Sequence, residues 1–159
     1  NRHARFKYEQ AGVRNYEILH EHMQRASFPE ESIDLIISVN ALNTAPPQLP
    51  VLNMIHRWLK PDGHFFLIDF GREQRVIDWT WYIVKHLYKT EGVGQVFRSF
   101  WENREAIRQN RRARHDQKSG LMWTHSTDEL AEMTKRAGFT VDHIQTCYRE
   151  YSDLVISRK

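Results

Sequence analysis

At 159 residues the chain has the length of one domain and enough material for a real core. Apolar residues make up 40% and aromatics 12%, which excludes a disordered polymer. The 23 basic and 20 acidic residues leave a formal charge of +3, too small an excess to require a polyanionic partner, and no apolar run reaches the roughly 18 residues of a membrane-spanning helix.

The chain begins at Asn1 without a methionine or a signal peptide, and is expected to be part of a longer sequence. Residues 1–11 have the pattern of the end of an amphipathic helix, closed by Gly12. Tyr16 to His20 reads as a short strand, and residues 21–32 as a loop. Ile33–Val39 and His64–Phe70 are apolar runs with the length and β-branched or aromatic content of strands buried on both faces. Between them, apolar residues at 51, 52, 54, 55, 58 and 59 form one helix face. Lys60-Pro61-Asp62-Gly63 stops that helix, with Gly63 expected to supply a positive-φ turn. Strand, helix and strand at this spacing make a βαβ unit with parallel strands. Arg75–Lys89 and Val93 to about Lys118 read as two helices, the second through Val93, Val96, Phe97, Phe100, Trp101 and Ile107. Ser126 to Glu129 matches a capping box, and Gly138 closes the helix it opens. Thr140–Tyr148 and Ser152–Ser157 alternate as two strands on a short turn, hence an antiparallel pair. Cys147 is the only cysteine, so no internal disulfide can form and a reducing, cytoplasmic setting is expected.

Three fragments also carry a likeness. Phe28-Pro29-Glu30-Glu31-Ser32-Ile33-Asp34-Leu35, then Asn40-Ala41-Leu42, then Leu59-Lys60-Pro61-Asp62-Gly63 resemble the second half of a class I S-adenosylmethionine-dependent methyltransferase. Ile33 stands where that family usually has Phe, and Asp62 where it usually has Gly. The resemblance implies an α/β, Rossmann-like sheet ordered three-two-one-four-five-seven-six, with residues 16–20 as third strand and an antiparallel C-terminal hairpin. It implies S-adenosyl-L-methionine as cofactor and a transferase of the EC 2.1.1 type. The family's glycine-rich turn and ribose-binding acid fall before residue 1, so the sheet is expected to be incomplete, its first strands absent, and residues 1–159 a partial domain. Residues 72–125 then form a two-helix insertion, a lid over the carboxyl ends of the strands. Gly92-Val93-Gly94 follows no strand and reads as a turn between helices, not a cofactor loop.

By the same resemblance the cofactor is expected to lie along His22, Met23, Asn40, Ala41 and Leu42. His22 stands where the family has an adenine-binding Asp. Family members often carry His where this chain has Asn43 and Thr44, so no histidine base is expected there. Methyl transfer needs alignment more than acid–base chemistry. For a hydroxyl acceptor, His125 and His86 are the candidate bases, each read first as a surface or capping histidine. Asn43, Asp69, Trp79 and Tyr82 are the candidates for the acceptor site. The aromatics of the insertion (Trp79, Trp81, Tyr82, Phe97, Phe100 and Trp101) read mainly as core between its helices, some lining a pocket for a flat or lipid-like acceptor. Arg104, Arg108, Arg111, Arg112, Arg114 and Lys118 read as a solvated helix face. The expected partner is a small molecule, apolar or aromatic; nucleic acid, stable membrane insertion and a metal are not expected. The leading reading is methyl transfer to a small organic acceptor. Its rival is a truncated, non-catalytic fragment or interaction module of the same fold, and a nicotinamide enzyme on a related sheet ranks third.

Overall fold

The computed structural model describes residues 2–73, 75–90, 92, 94, 98, 99, 101 and 104–159, without the side chains at 3, 76, 106 and 107. In chain order its elements are α1 (Arg2–Gln10), β1 (Ile33–Val39), α2 (Gln48–Trp58), β2 (Leu59–Phe70), α3 (Val76–Thr90), α4 (Arg104–Lys118), α5 (Thr127–Arg136), β3 (Thr140–Cys147) and β4 (Ser152–Arg158). Short 3-10 turns lie at Met23–Arg25 and Leu42–Thr44.

The four strands form one sheet in the order β1-β2-β4-β3. β1 and β2 run parallel, with Ile36 opposite Phe65 and Val39 opposite Ile68. β4 pairs antiparallel with both β2 and β3, so the hairpin folds back to insert its second strand beside β2. This is the four-five-seven-six portion of the expected order.

The core lies on one face of that sheet. Apolar residues of α2 (Val51, Leu52, Ile55, Trp58) and Leu130 of α5 pack with Phe65, Leu67 and Val155, most of them fully buried. The stripe on α2 is the helical spacing read from sequence, now turned onto the strands. Ser126 caps α5 in both directions: its hydroxyl accepts from the Glu129 N–H at 3.2 Å, and the Glu129 carboxylate accepts from the Ser126 N–H at 2.7 Å. Gly12, at φ +70, and Gly138, at φ +98, end α1 and α5 as expected.

The structure corrects four expectations. Tyr16 to His20 is not a strand; among the described residues its neighbour in the implied order, the second strand, has no counterpart, so its backbone has no ladder to join. β1 is not buried on both faces: Leu35, Ile37 and Val39 are 51%, 62% and 49% exposed on the side away from α2 and α5. Within the first residues of β2 the positive φ belongs to Asp62, at +61, not to Gly63. Gly63 is needed for space instead, since a Cβ there would lie 2.8 Å from the Lys60 carbonyl oxygen. Residues 60–63 also form a bulge, the pairing jumping from Ile33–Leu59 to Leu35–His64. Fourth, the insertion's aromatics are not mainly core, for Trp81 and Trp101 are 69% and 73% exposed. On α3, residues 77, 81 and 88 share an outward face, while Trp79 and Tyr82 turn toward the hairpin. The second helix of the insertion is described as α4 from Arg104; Val93, Val96, Phe97, Phe100 and the Ile107 side chain lie outside the described residues. Gly92 follows α3 at φ +83, its N–H bonded to the Leu87 carbonyl.

Ser126→Ala removes one hydrogen bond of the capping box and strands its partner. It is expected to lower stability by about 1 kcal/mol, read from the urea unfolding midpoint, with the slope unchanged.

Candidate functional site

The parallel strands deliver two segments to the same edge of the sheet. β1 ends at Val39, and Asn40 bends the chain away at φ +52, its N–H bonded to the Ile68 carbonyl at 2.7 Å. Asn tolerates this left-handed backbone better than most residues. Its side-chain Oδ1 is buried without a hydrogen-bond partner. Nearby along the chain, Ser38, Asn43 and Gln48 also hold buried polar atoms with no partner, as does Asp69 at the end of β2. Buried polar atoms are ordinarily paired, so the gathering of several without partners near one sheet edge is unusual.

A cavity of about 330 Å3 opens beside it, lined by Asn40, Phe70, Trp79, Asn110 and Tyr148. These come from the ends of β1 and β2, from α3 and α4, and from the hairpin turn. A second cavity, of about 600 Å3, adjoins the same turn; Arg72, Arg75, Arg114, Arg149 and Tyr151 are among its walls. The turn itself is strained. Tyr148, Arg149 and Glu150 take φ values of +47, +58 and +68 in succession, with no glycine among them, at a cost of about 1–2 kcal/mol each.

Beneath the cavities lies a buried polar cluster. The Asp153 carboxylate accepts two hydrogen bonds from the Arg72 guanidinium, at 2.8 and 2.9 Å, and a third from the Thr127 hydroxyl at 2.8 Å. His125 lies against it, Nδ1 at 3.5 Å from Asp153 and Nε2 at 4.0 Å from Asp69, with none of the three side chains exposed. Gly71 makes this approach possible: a Cβ there would lie 2.7 Å from both Asp153 Oδ2 and the His125 carbonyl oxygen. Burial pushes the Asp69 carboxyl up to about 7; the backbone N–H groups of Phe70 and Asn43 act against this, and the Asp153 charge adds to it. Those N–H groups fall short of full hydrogen-bond geometry, so both Asp69 oxygens stay unpaired. Burial likewise holds the His125 imidazole below its ordinary value, against the pull of the Ser126 carbonyl and Asp153.

The candidate residues are therefore dispersed. Asn40 and Ala41 lie at the sheet edge, but the Leu42 side chain is in the core, leaving only its backbone for a ligand. His22 is exposed and its carbonyl receives the N–H groups of Arg25 and Ala26. Met23 packs partly against the core, and Gln24 ties this turn to the Pro46 carbonyl. Asn43 and Asp69 are sealed; Trp79 lines the smaller cavity, and the half-exposed Tyr82 lines neither but lies under the Arg149 guanidinium. His86 is exposed on α3, its ring stacked on Tyr82. His125 lines neither cavity. Arg72, Asn110, Tyr148, Arg149 and Asp153 were not singled out from sequence; an acid inside each of the runs Leu67–Phe70 and Ser152–Ile156 was the available signal.

An open α/β sheet with a parallel βαβ unit, an antiparallel terminal hairpin and polar orphans at its carboxyl edge defines a class of ligand-binding sheet. A family model for the methyltransferase domain matches residues 4–144, and the chain belongs to that family. No curated protein sequence matches it. Among solved structures it is similar to an S-adenosylmethionine-dependent methyltransferase from Aquifex aeolicus, at 16% identity and TM-score 0.59 over 99% of this chain and 62% of that one. Another such enzyme, from Mesorhizobium loti, gives 15% identity and TM-score 0.55 over 97% of this chain and 75% of that one. A third, the 1,6-didemethyltoxoflavin-N1-methyltransferase of Burkholderia thailandensis, was solved with S-adenosylhomocysteine bound; identity is 17% and TM-score 0.51 over 86% of this chain and 48% of that one. The chain thus spans less than two thirds of the length of the Aquifex neighbour. The fold is the class I, Rossmann-like one, and the family's cofactor is S-adenosyl-L-methionine.

The buried acid sets a pH dependence. Between the ordinary aspartate value of 3.8 and about 7, the folded state keeps a proton on Asp69 that the unfolded chain releases. That contribution is fully present below pH 3.8 and is lost as pH rises through 7. His125 works in the opposite sense, costing stability as pH falls below 6.5. Unfolding free energies of Asp69→Asn and the parent chain from urea titrations, compared from pH 4.5 to 8, are expected to diverge in favour of the variant by a few kcal/mol, at roughly 1.4 kcal/mol for each pKa unit.

Proposed function

We infer that the protein transfers a methyl group from S-adenosylmethionine to a small organic acceptor at the carboxyl edge of β1 and β2. The observation that carries this is the meeting, at one edge, of the unpaired buried Asn40 Oδ1 with an aromatic-walled cavity that Asn40 itself lines. The donor set fits the cofactor there: Asn40 offers an orphan oxygen, and the backbone of Ala41 and Leu42 runs beside it. His22 and Met23 would border its adenine end, tied to the same segment through Gln24. When bound, the cofactor supplies a methyl group already activated on a sulfonium.

What remains for the chain is alignment and exclusion of water. Residues 72–125 act as the lid, with Trp79 and Tyr82 as its inner surface and an apolar or aromatic acceptor as the guest. Asn43 and Asp69, sealed beneath, brace the floor. His125 is a positioning residue: it fixes Asp153 and through it Arg72, and its imidazole has no path to a bound hydroxyl. His86, exposed on the lid, has no described acid to orient it. No strong base is needed if the acceptor presents an already nucleophilic atom. The single cysteine accords with a cytoplasmic setting.

One observation favours a second reading, a non-catalytic module. The open edge and exposed apolar face of β1 can recruit another chain. Calorimetric titration of residues 1–159 with S-adenosylhomocysteine separates the two. Micromolar binding, weakened about tenfold by Asn40→Ala, is the result expected of the enzyme. Absence of heat at millimolar ligand, together with self-association in sedimentation, would leave the module.

A further inference from the structure

The larger cavity has a chemistry of its own. Two of its four arginines are committed: Arg72 to Asp153, and Arg114 through Nε to Glu73 at 2.8 Å. Glu73 is shared with Lys118 at 3.5 Å, so two cations meet one carboxylate there. Arg75 and Arg149 form no ion pair with a described carboxylate. Of the remaining acids in the wall, Asp78 accepts the Tyr151 hydroxyl at 2.7 Å, and Glu150 follows Arg149 in the turn.

Arg149 is the informative residue. Its guanidinium lies over the Tyr82 ring at 4.7 Å and near the Trp79 ring at 5.9 Å. A guanidinium held over aromatic rings and outside any ion pair with a described carboxylate retains N–H donors for a planar or tetrahedral oxyanion. The left-handed turn that places it costs energy and carries no glycine to relieve it. Local hydrogen bonds do not explain the choice, because Gly or Asn would make the same backbone turn more cheaply. The turn is also the wall between the cavities: Tyr148 faces the smaller, Arg149 the larger.

We propose that the methyl acceptor carries an oxyanion, a carboxylate or phosphate, bound by Arg149 with Arg75 in the larger cavity while its apolar part lies against Trp79 and Tyr148 in the smaller. This rests on the methyltransferase reading for the word acceptor; the anion site itself does not. Arg149 is then a residue that determines specificity, and its strained turn is retained for the position it gives the guanidinium.

The test is NMR on 15N-labelled residues 1–159, following the indole N–H signals and the arginine Nε–H signals. The probes are benzoate, phenyl phosphate and neutral benzyl alcohol. Both anions are expected to bind, the alcohol at least about tenfold more weakly, and Arg149→Met to lose about tenfold for the anions. Lys135→Met, on the far surface, is the charge control and should change nothing. Arg149→Gly is expected to lose the anion while keeping or raising the urea midpoint, which a merely structural arginine would not do. Benzyl alcohol binding as tightly as benzoate, or Arg149→Met retaining full anion affinity, would overturn the proposal. Whether benzoate or phenyl phosphate binds better identifies the oxyanion. Because no cofactor is present in these titrations, anion binding without S-adenosylhomocysteine binding would sink the enzyme reading and leave this site standing.

Discussion

The structure depends on how β2 ends. This strand is flanked on both sides, parallel to β1 and antiparallel to β4, and its residues Phe65, Leu67 and Asp69 are fully buried. A chain leaving such a position must turn before it reaches water, and its last polar groups have to find partners inside the protein. Asp69 and Gly71 are the consequence. Gly71 lets the His125 strap cross at contact distance, its carbonyl accepting the His125 N–H at 2.8 Å while its own N–H bonds to the Tyr151 carbonyl. One residue without a side chain thereby joins the end of β2, the approach to α5 and the hairpin.

Those three segments also set the charge balance. Arg72, immediately after Gly71, neutralises Asp153 with both terminal nitrogens and reaches the Thr127 hydroxyl. The buried Asp153 carboxylate thereby has three donors within hydrogen-bond distance. Asp69 has no such donors, and burial pushes its carboxyl up toward the neutral form. Two acids at the same register of adjacent strands, Asp69 opposite Asp153, are thus kept from repelling each other. The histidine between them serves this arrangement and has no exposed face on either cavity.

Much of the sheet was legible because its signals are local. The β-branched runs at 33–39 and 64–70, the helix stripe between them and the short turn before Ser152 each carry their own periodicity or turn chemistry. The capping box at Ser126 was readable for the same reason. What was not legible depends on distance along the chain. An apolar strand reads as buried whether or not its cover lies within the residues at hand, so the exposed face of β1 looked like core. Tyr16 to His20 has strand composition, but a strand exists only with a neighbour. Nothing in the spacing of residues 69, 72, 125, 127 and 153 hints that they meet. An acid interrupting an apolar run, at Asp69 and again at Asp153, is the sole trace.

Helix α3 shows why composition alone does not place the aromatics. Residues 79, 82 and 86 lie about one turn apart and look toward Arg149 and Tyr151, or stack along that side. Residues 77, 81 and 88 occupy the opposite side and are exposed. A helix apolar on two faces can be core only if both are covered. Here one face has a partner with polar and cationic character, the hairpin turn. That gives the wall toward the strand ends both an aromatic surface and a fixed charge, which neither the helix nor the turn would provide alone. The aromatic side of α3 and the hairpin turn therefore meet beside the strand ends, and the Arg72–Asp153–Thr127 cluster ties the hairpin to the end of β2 and the start of α5.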